Sequence, residues 1–146
     1  MSDKRIAVAA WESLFRAQVS VLRYLNAEFP TDEISLNEYD VLLNLSQQDG
    51  RRLRIKDLNK HLLLTQPSVS RLIDRLAARG ILSKSSDPAD ARGIIVALTD
   101  EGYELFRRVA VKHMESIADR VGTALTDEEL TQLSALSDKL RGAGAD

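Results

Sequence analysis

Apolar residues recur at helical spacing along most of the chain and at strand spacing in one short region. Trp11, Leu14, Phe15, Val19, Leu22, Leu25 and Phe29 form a helical stripe over residues 5–29, which Pro30 ends. A second helix is expected to start at Ser35, where Ser35 and Glu38 have capping-box spacing and Ile34 and Tyr39 that of a hydrophobic staple. It is apolar on several sides, which predicts a central position, and Gly50 closes the turn after it. "RRLRI" at 51–55 alternates, with Leu53 and Ile55 on one side, and predicts a short edge strand.

A brief helix is predicted over "KDLNKHLL", residues 56–63, with Leu58, Leu62 and Leu63 inward. After a tight turn, Thr65 is an N-cap and Pro67 sits in the first turn, where its missing N–H costs little. Val69, Leu72, Ile73 and Leu76 then make one buried face, and Gly80 ends that helix. Ile81 and Leu82 open a strand, Asp87 and Pro88 turn it, and Ile94, Val96 and Leu98 alternate along the return. This predicts a hairpin with a long, polar, arginine-bearing tip. A further helix begins at Thr99, reaches about residue 121, and carries Phe106, Val109, Ala110, His113 and Ile117. The last begins at Thr126, with Glu129 completing a capping box and Leu125 and Leu130 spaced as a staple. It carries Leu133, Leu136 and Leu140, and residues 142–146 are expected to fray.

Short helix, tight turn, longer helix and β-hairpin define a winged helix-turn-helix: a mainly α fold with a small β-hairpin wing. The outward face of the longer helix carries the chemistry. Pro67, Ser70, Arg71 and Asp74 lie opposite its apolar face, and Gln66 and Ser68 flank them near the N-terminus. A helix entering the major groove needs slim residues at its start, and amide, hydroxyl and guanidinium groups to read base edges or hold phosphates. Arg51, Arg54, Arg75 and Lys84 are expected on the phosphate backbone. Arg92, on a slim hairpin, is suited to the minor groove, with Asp90 two residues away to orient it. The plainer alternative makes Asp90 and Arg92 a surface ion pair, and the serines ordinary filler.

Charge strengthens the nucleic-acid reading. Net charge is −2, yet residues 51–92 hold ten Lys and Arg against four Asp and Glu, a net of +6, inside a remainder of net −8. There is no cysteine, which excludes disulfides, cysteine-ligated metal and a thiol sensor. No apolar run is long enough for a membrane span, and the opening residues lack the apolar core of a signal peptide. The expected compartment is the cytoplasm.

The chain resembles the MarR (multiple antibiotic resistance regulator) family of transcription factors over residues 8 to 141. The wing is the most specific piece: the family's Asp-x-Arg-x-x-x-Val-x-Leu-Thr pattern is met by Asp90, Arg92, Val96, Leu98 and Thr99. "SVSRLIDRLAARGIL" and "LTDEG" are also family-like. The resemblance implies one MarR-like domain over 1–146, with a DNA-binding lobe at about 35–98 and dimerisation helices at about 5–29 and 99–141. It implies a homodimer on a pseudo-palindromic double-stranded operator, and repression relieved by a small ligand, often aromatic. Trp11, Phe15, Arg16, Tyr39, Asp40 and His61 are the candidates to line such a ligand pocket; core packing of the aromatics is the alternative.

No cofactor, metal site or catalytic set is expected. His61 and His113 are the only histidines, on separate helices, with no nucleophile, base and orienter to make an enzyme. A metal-responsive regulator, and a winged helix used only for protein contact, remain alternatives.

Overall fold

A computed structural model describes residues 3–62 and 64–142. The chain divides into two compact units: Pro30–Lys112, and Met1–Phe29 with His113–Asp146.

The Pro30–Lys112 unit begins with α2 (Leu36–Ser46), which follows α1 (Lys4–Glu28) of the other unit. Its predicted capping box is present: the Glu38 N–H donates to Ser35 Oγ at 3.1 Å, and the Ser35 N–H to Glu38 Oε1 at 2.9 Å. Leu36, Tyr39, Val41, Leu42 and Leu45 are buried, more than one face of a helix can hold, so α2 is central as expected. Gly50 and Arg51 then take left-handed conformations in succession, with φ of 67° and 52°. They reverse the chain into β1 (Arg52–Arg54), which pairs antiparallel with β3 (Asp90–Leu98). The sheet order is β1-β3-β2, with β2 at Leu82–Asp87, so β1 is an edge strand.

β1 stops at Arg54 because Ile55 already opens α3 (Ile55–Asn59). That helix is shorter than predicted. Leu58 is fully buried and Leu62 half-buried, while Leu63 lies outside the described residues. α4 (Gln66–Ala78) buries Val69, Leu72, Ile73 and Leu76, the four residues its periodicity selected. It closes with both bonds of a Schellman motif: the Gly80 N–H donates to the Ala77 carbonyl and the Ile81 N–H to that of Leu76, each at 3.0 Å. Gly80 has φ 76°, a conformation that suits glycine.

The hairpin differs from expectation. Its tip is a tight turn, with only Pro88 and Ala89 between the strands. Pairing runs from Leu82↔Leu98 to Ser86↔Ile94 and then jumps to Asp87↔Asp90, so Ala91, Arg92 and Gly93 form a bulge in β3. The arginine expected at a long tip, Arg92, lies in that bulge. Val96 and Leu98 are buried as predicted, but Ile94 is exposed.

α5 (Asp100–Ile117) is capped by Thr99, whose Oγ accepts the Gly102 N–H at 3.0 Å. The Thr99 hydroxyl also lies 2.7 Å from the Gly80 carbonyl and 2.9 Å from that of Ile81. A Cβ at Gly102 would run into the Ile81 carbonyl, which explains the glycine in "LTDEG". Val109 and His113 are buried along α5 as predicted, together with Leu105, whereas Phe106 and Ala110 are half-buried and Ile117 is exposed. The helix ends at Ile117, and a π-helical turn at Ala118–Gly122 replaces its predicted last turn.

The second unit holds α1 (Lys4–Glu28) and α6 (Asp127–Gly142). Asp3 caps α1 by accepting the Arg5 N–H at 2.9 Å, and Phe29 before Pro30 is extended, which ends the helix. The Thr126–Glu129 capping box forms at 2.9 and 3.2 Å. Arg120 Nη2 donates to Ser20 Oγ on α1 at 3.2 Å. Neither α1 nor α6 contains a buried residue. α6 extends through Gly142; the rest of the expected frayed end lies outside the described residues.

Candidate nucleic-acid interface

The outer face of α4 is built as its sequence suggested. Gln66, Pro67, Ser70, Arg71 and Asp74 are exposed on it, and Ser68 is half-buried. Thr65 Oγ accepts the Ser68 N–H at 3.4 Å and donates to Ser68 Oγ at 3.0 Å. Ser68 Oγ in turn accepts from Arg71 Nη2 at 3.3 Å. The capping residue thus reaches the arginine through one serine. Ser68 is an internal strut here, while Gln66, Ser70 and Arg71 offer amide, hydroxyl and guanidinium groups to an approaching surface. Arg75 is exposed in the last turn.

Three cations expected on phosphates have partners within the protein. Arg51 lies with its guanidinium carbon 3.4 Å from the Tyr103 ring centre. Arg54 forms an ion pair with the buried carboxylate of Asp87. Lys84 Nζ lies 2.7 Å from Asp74 Oδ1 and ties β2 to α4. None of these contacts is local in sequence, so nothing near Arg51, Arg54 or Lys84 along the chain points to its partner. Arg51 belongs to an aromatic column, in which Tyr103 stacks near Phe106 at 6.3 Å and Phe106 on Tyr39 at 5.3 Å.

The wing also corrects the reading of Asp90. Its Oδ1 accepts the backbone N–H of Arg92 at 3.0 Å, so it shapes the bulge instead of pairing with the guanidinium. Arg92 is exposed. A groove of about 350 Å³ lies between wing and helix-turn-helix, lined among others by Arg54, Lys56, Asn59, Gln66, Asp90 and Arg92. It brings Gln66 and Arg92 to one concavity. Lys56 and Asn59 were missed from sequence; the only signal was that Lys56 belongs to the basic block.

The six ligand-pocket candidates divide between the two units. Trp11, Phe15 and Arg16 lie exposed on α1 in one unit, with the Trp11 and Phe15 rings 5.8 Å apart. Tyr39, Asp40 and His61 lie in the other unit. Tyr39 is core, and burial, helped by the Asp40 charge, pushes its phenol above the ordinary value. Desolvation likewise raises the Asp40 carboxyl, while His61 is exposed beyond α3. His113 is buried with its ring edge-on to Phe29 at 5.2 Å, and desolvation lowers its pKa. Among the described residues no three His, Asp or Glu side chains converge as a metal site, and no helix is long and apolar enough to cross a membrane.

A helix-turn-helix with an exposed polar recognition face and an arginine-bearing wing defines a winged-helix DNA-binding protein. The MarR family model matches residues 32–93, from the loop before α2 to the wing. The regulator PecS of Dickeya dadantii is 28% identical over 125 residues, 85% of this chain and 75% of that protein. Sco3205 of Streptomyces coelicolor, a MarR family transcriptional regulator solved in complex with DNA, is 27% identical with a TM-score of 0.78, over 98% of this chain and 90% of that one. BpsR of Bordetella bronchiseptica, whose DNA binding is regulated by 6-hydroxynicotinic acid, is 27% identical with a TM-score of 0.76, over 91% and 98%. The chain is thus similar, in its winged unit and over most of its length, to MarR family transcriptional regulators.

Proposed function

We propose that the protein is a homodimeric repressor that binds a pseudo-palindromic operator and is released by a small aromatic ligand. The exposed face of α4 carries the reading of DNA: Gln66, Ser70 and Arg71 set base preference, Arg75 holds phosphate, and Arg92 enters the flanking minor groove. The homodimer reading is supported by α1 and α6, which bury nothing in the single chain and expose Trp11, Phe15, Leu133, Leu136 and Leu140. Two copies of α4 then present two half-sites. Release by an aromatic acid is supported by the similarity to BpsR, whose DNA binding is regulated by 6-hydroxynicotinic acid.

Operator fragments selected from genomic DNA test this reading. Arg71→Ala changes which base is favoured at one position, at about 1–3 kcal/mol for a lost bidentate contact. Arg75→Ala weakens every sequence and lowers the salt slope by about one unit. Equal losses on all sequences for both variants defeat the division of roles. A sedimenting species of single-chain mass at micromolar concentration defeats the dimer. Aromatic acids that neither shift the melting temperature nor displace DNA defeat the ligand.

A further inference from the structure

We propose that Arg54 and Asp87 form a latch that fixes the attitude of the wing, so that Arg54 acts on DNA as a positioning residue and not as a phosphate ligand. This rests on the reading that Arg92 engages DNA. The β1–β3 ladder spans only Arg52↔Ala97, Leu53↔Val96 and Arg54↔Ile95. Beyond Ile95 the hairpin is two-stranded, and the Ala91–Gly93 bulge interrupts even that pairing. A two-stranded ribbon by itself is marginally stable. Arg92 sits in the weakest part of the sheet, although a groove reader must present its guanidinium in a fixed direction.

One carboxylate reaches back across this overhang. Asp87, 6% exposed, accepts the Ala89 N–H on Oδ1 at 2.9 Å and so fastens the turn. Its Oδ2 meets the guanidinium of Arg54, the last residue of β1 and the N-cap position of α3. At Gly93 an added Cβ would stand 3.1 Å from Asp87 Cβ, 3.3 Å from the Asp90 carbonyl oxygen and 3.4 Å from Asp87 Oδ2, so the neighbours would have to give by a few tenths of an ångström. The glycine leaves room for the carboxylate against the bulge. Turn, bulge and start of the helix-turn-helix therefore meet at Asp87. The pair is asymmetric: removing Arg54 leaves the buried carboxylate without its charge partner, while removing the carboxylate releases the partly exposed Arg54 to solvent.

The sign of one substitution separates the two roles of Arg54. If Arg54 were a phosphate ligand restrained by Asp87, Asp87→Asn would free the cation, remove a negative charge beside DNA and tighten binding. As a latch member, Asp87→Asn weakens operator binding about fivefold or more, because it removes the charge-assisted tie between the turn and the end of β1. Hydrogen exchange on the DNA-free protein supplies the second readout. Arg54→Met speeds exchange at the Ala89 and Arg92 amides about tenfold, while the α4 amides of Leu72 and Leu76 keep their wild-type rates. Arg54→Lys restores much of the protection. Tighter binding by Asp87→Asn, unchanged exchange at Ala89 and Arg92, or equal acceleration throughout α4 overturns the latch. Failure of the underlying wing reading looks different: Arg92→Ala then binds as the wild type does, whatever the exchange rates.

Discussion

Of the eighteen buried hydrophobic residues among those described, all but Phe29 lie in Pro30–Lys112. Of the twelve large hydrophobics left exposed, all but Ile94 and Val111 lie in the other unit. The two units satisfy apolar burial in different ways. The winged unit closes a core around α2 from its own residues. The helical unit carries amphipathic helices whose apolar stripes stay in water in the single chain. A stripe of Leu133, Leu136 and Leu140 on α6, at intervals of three and four, is costly there unless something covers it. Self-association is the proposed cover, and it gives the two units separate failure modes.

The sharpest break of this contrast comes from a charge in the exposed stripe. Leu136→Asp is expected to put an unpaired carboxylate into the dimer seam and weaken association by several kcal/mol, roughly the cost of burying an unpaired polar group or more. Analytical ultracentrifugation should show the single-chain species at concentrations where the wild type is paired. If the variant stays paired, α6 is not the seam. Leu42→Ala in the winged unit is the counterpart. Leu42 is fully buried, and truncation should cost about 2–5 kcal/mol of unfolding free energy. Its penalty should not depend on protein concentration. A penalty that vanished on raising the concentration would mean that the winged unit also depends on pairing.

Gly102→Ala sharpens the contrast at the junction of wing and α5. Its Cβ would strike the Ile81 carbonyl, which Thr99 already holds through its N–H at 3.1 Å. Forcing a methyl into that contact should cost about 1–3 kcal/mol, the usual range for overpacking. The loss should appear in thermal unfolding and in operator affinity, while the sedimentation constant stays that of the wild type. Loss of pairing in this variant would show that the helical unit takes its order from the α5 start.

Local chemistry made much of the fold legible. Capping boxes at Ser35 and Thr126, the four buried residues of α4 and the edge strand β1 all depend on signals within a few residues of one another. The wing was legible as a hairpin, but its tight turn and bulge were not, because nothing in "DPADARG" says where the extra residues go. The exposed face of α4 was legible, and the partners of the cations around it were not. Arg51 finds Tyr103, Arg54 finds Asp87 and Lys84 finds Asp74 only when the sheet folds against the helices. Long-range pairing leaves no periodic trace, so a count of charges along the chain does not show which cations have partners within the fold.

The smallest expected effect is in acid titration, where the two units should pull in opposite directions. His113 belongs to the helical unit, and desolvation lowers its pKa below the ordinary imidazole value of about 6.5. The unfolded chain therefore gains a proton there before the folded one does. Stability from this site is full above about pH 6.5 and falls as the pH drops through the folded value, at no more than about 1.4 kcal/mol per pH unit. Asp40 belongs to the winged unit, and desolvation raises its carboxyl. Here the folded protein takes up the proton first, so the contribution is full below the ordinary carboxylate range and is lost as the pH rises through the raised value. His113→Leu should flatten the decline between pH 6.5 and 5, and Asp40→Asn should raise stability at neutral pH without changing that decline. Urea unfolding of wild type and both variants at fixed protein concentration, across pH 4 to 8, measures both slopes. If His113→Leu declined as steeply as the wild type below pH 6.5, the buried imidazole would not be the group that couples the helical unit to acid.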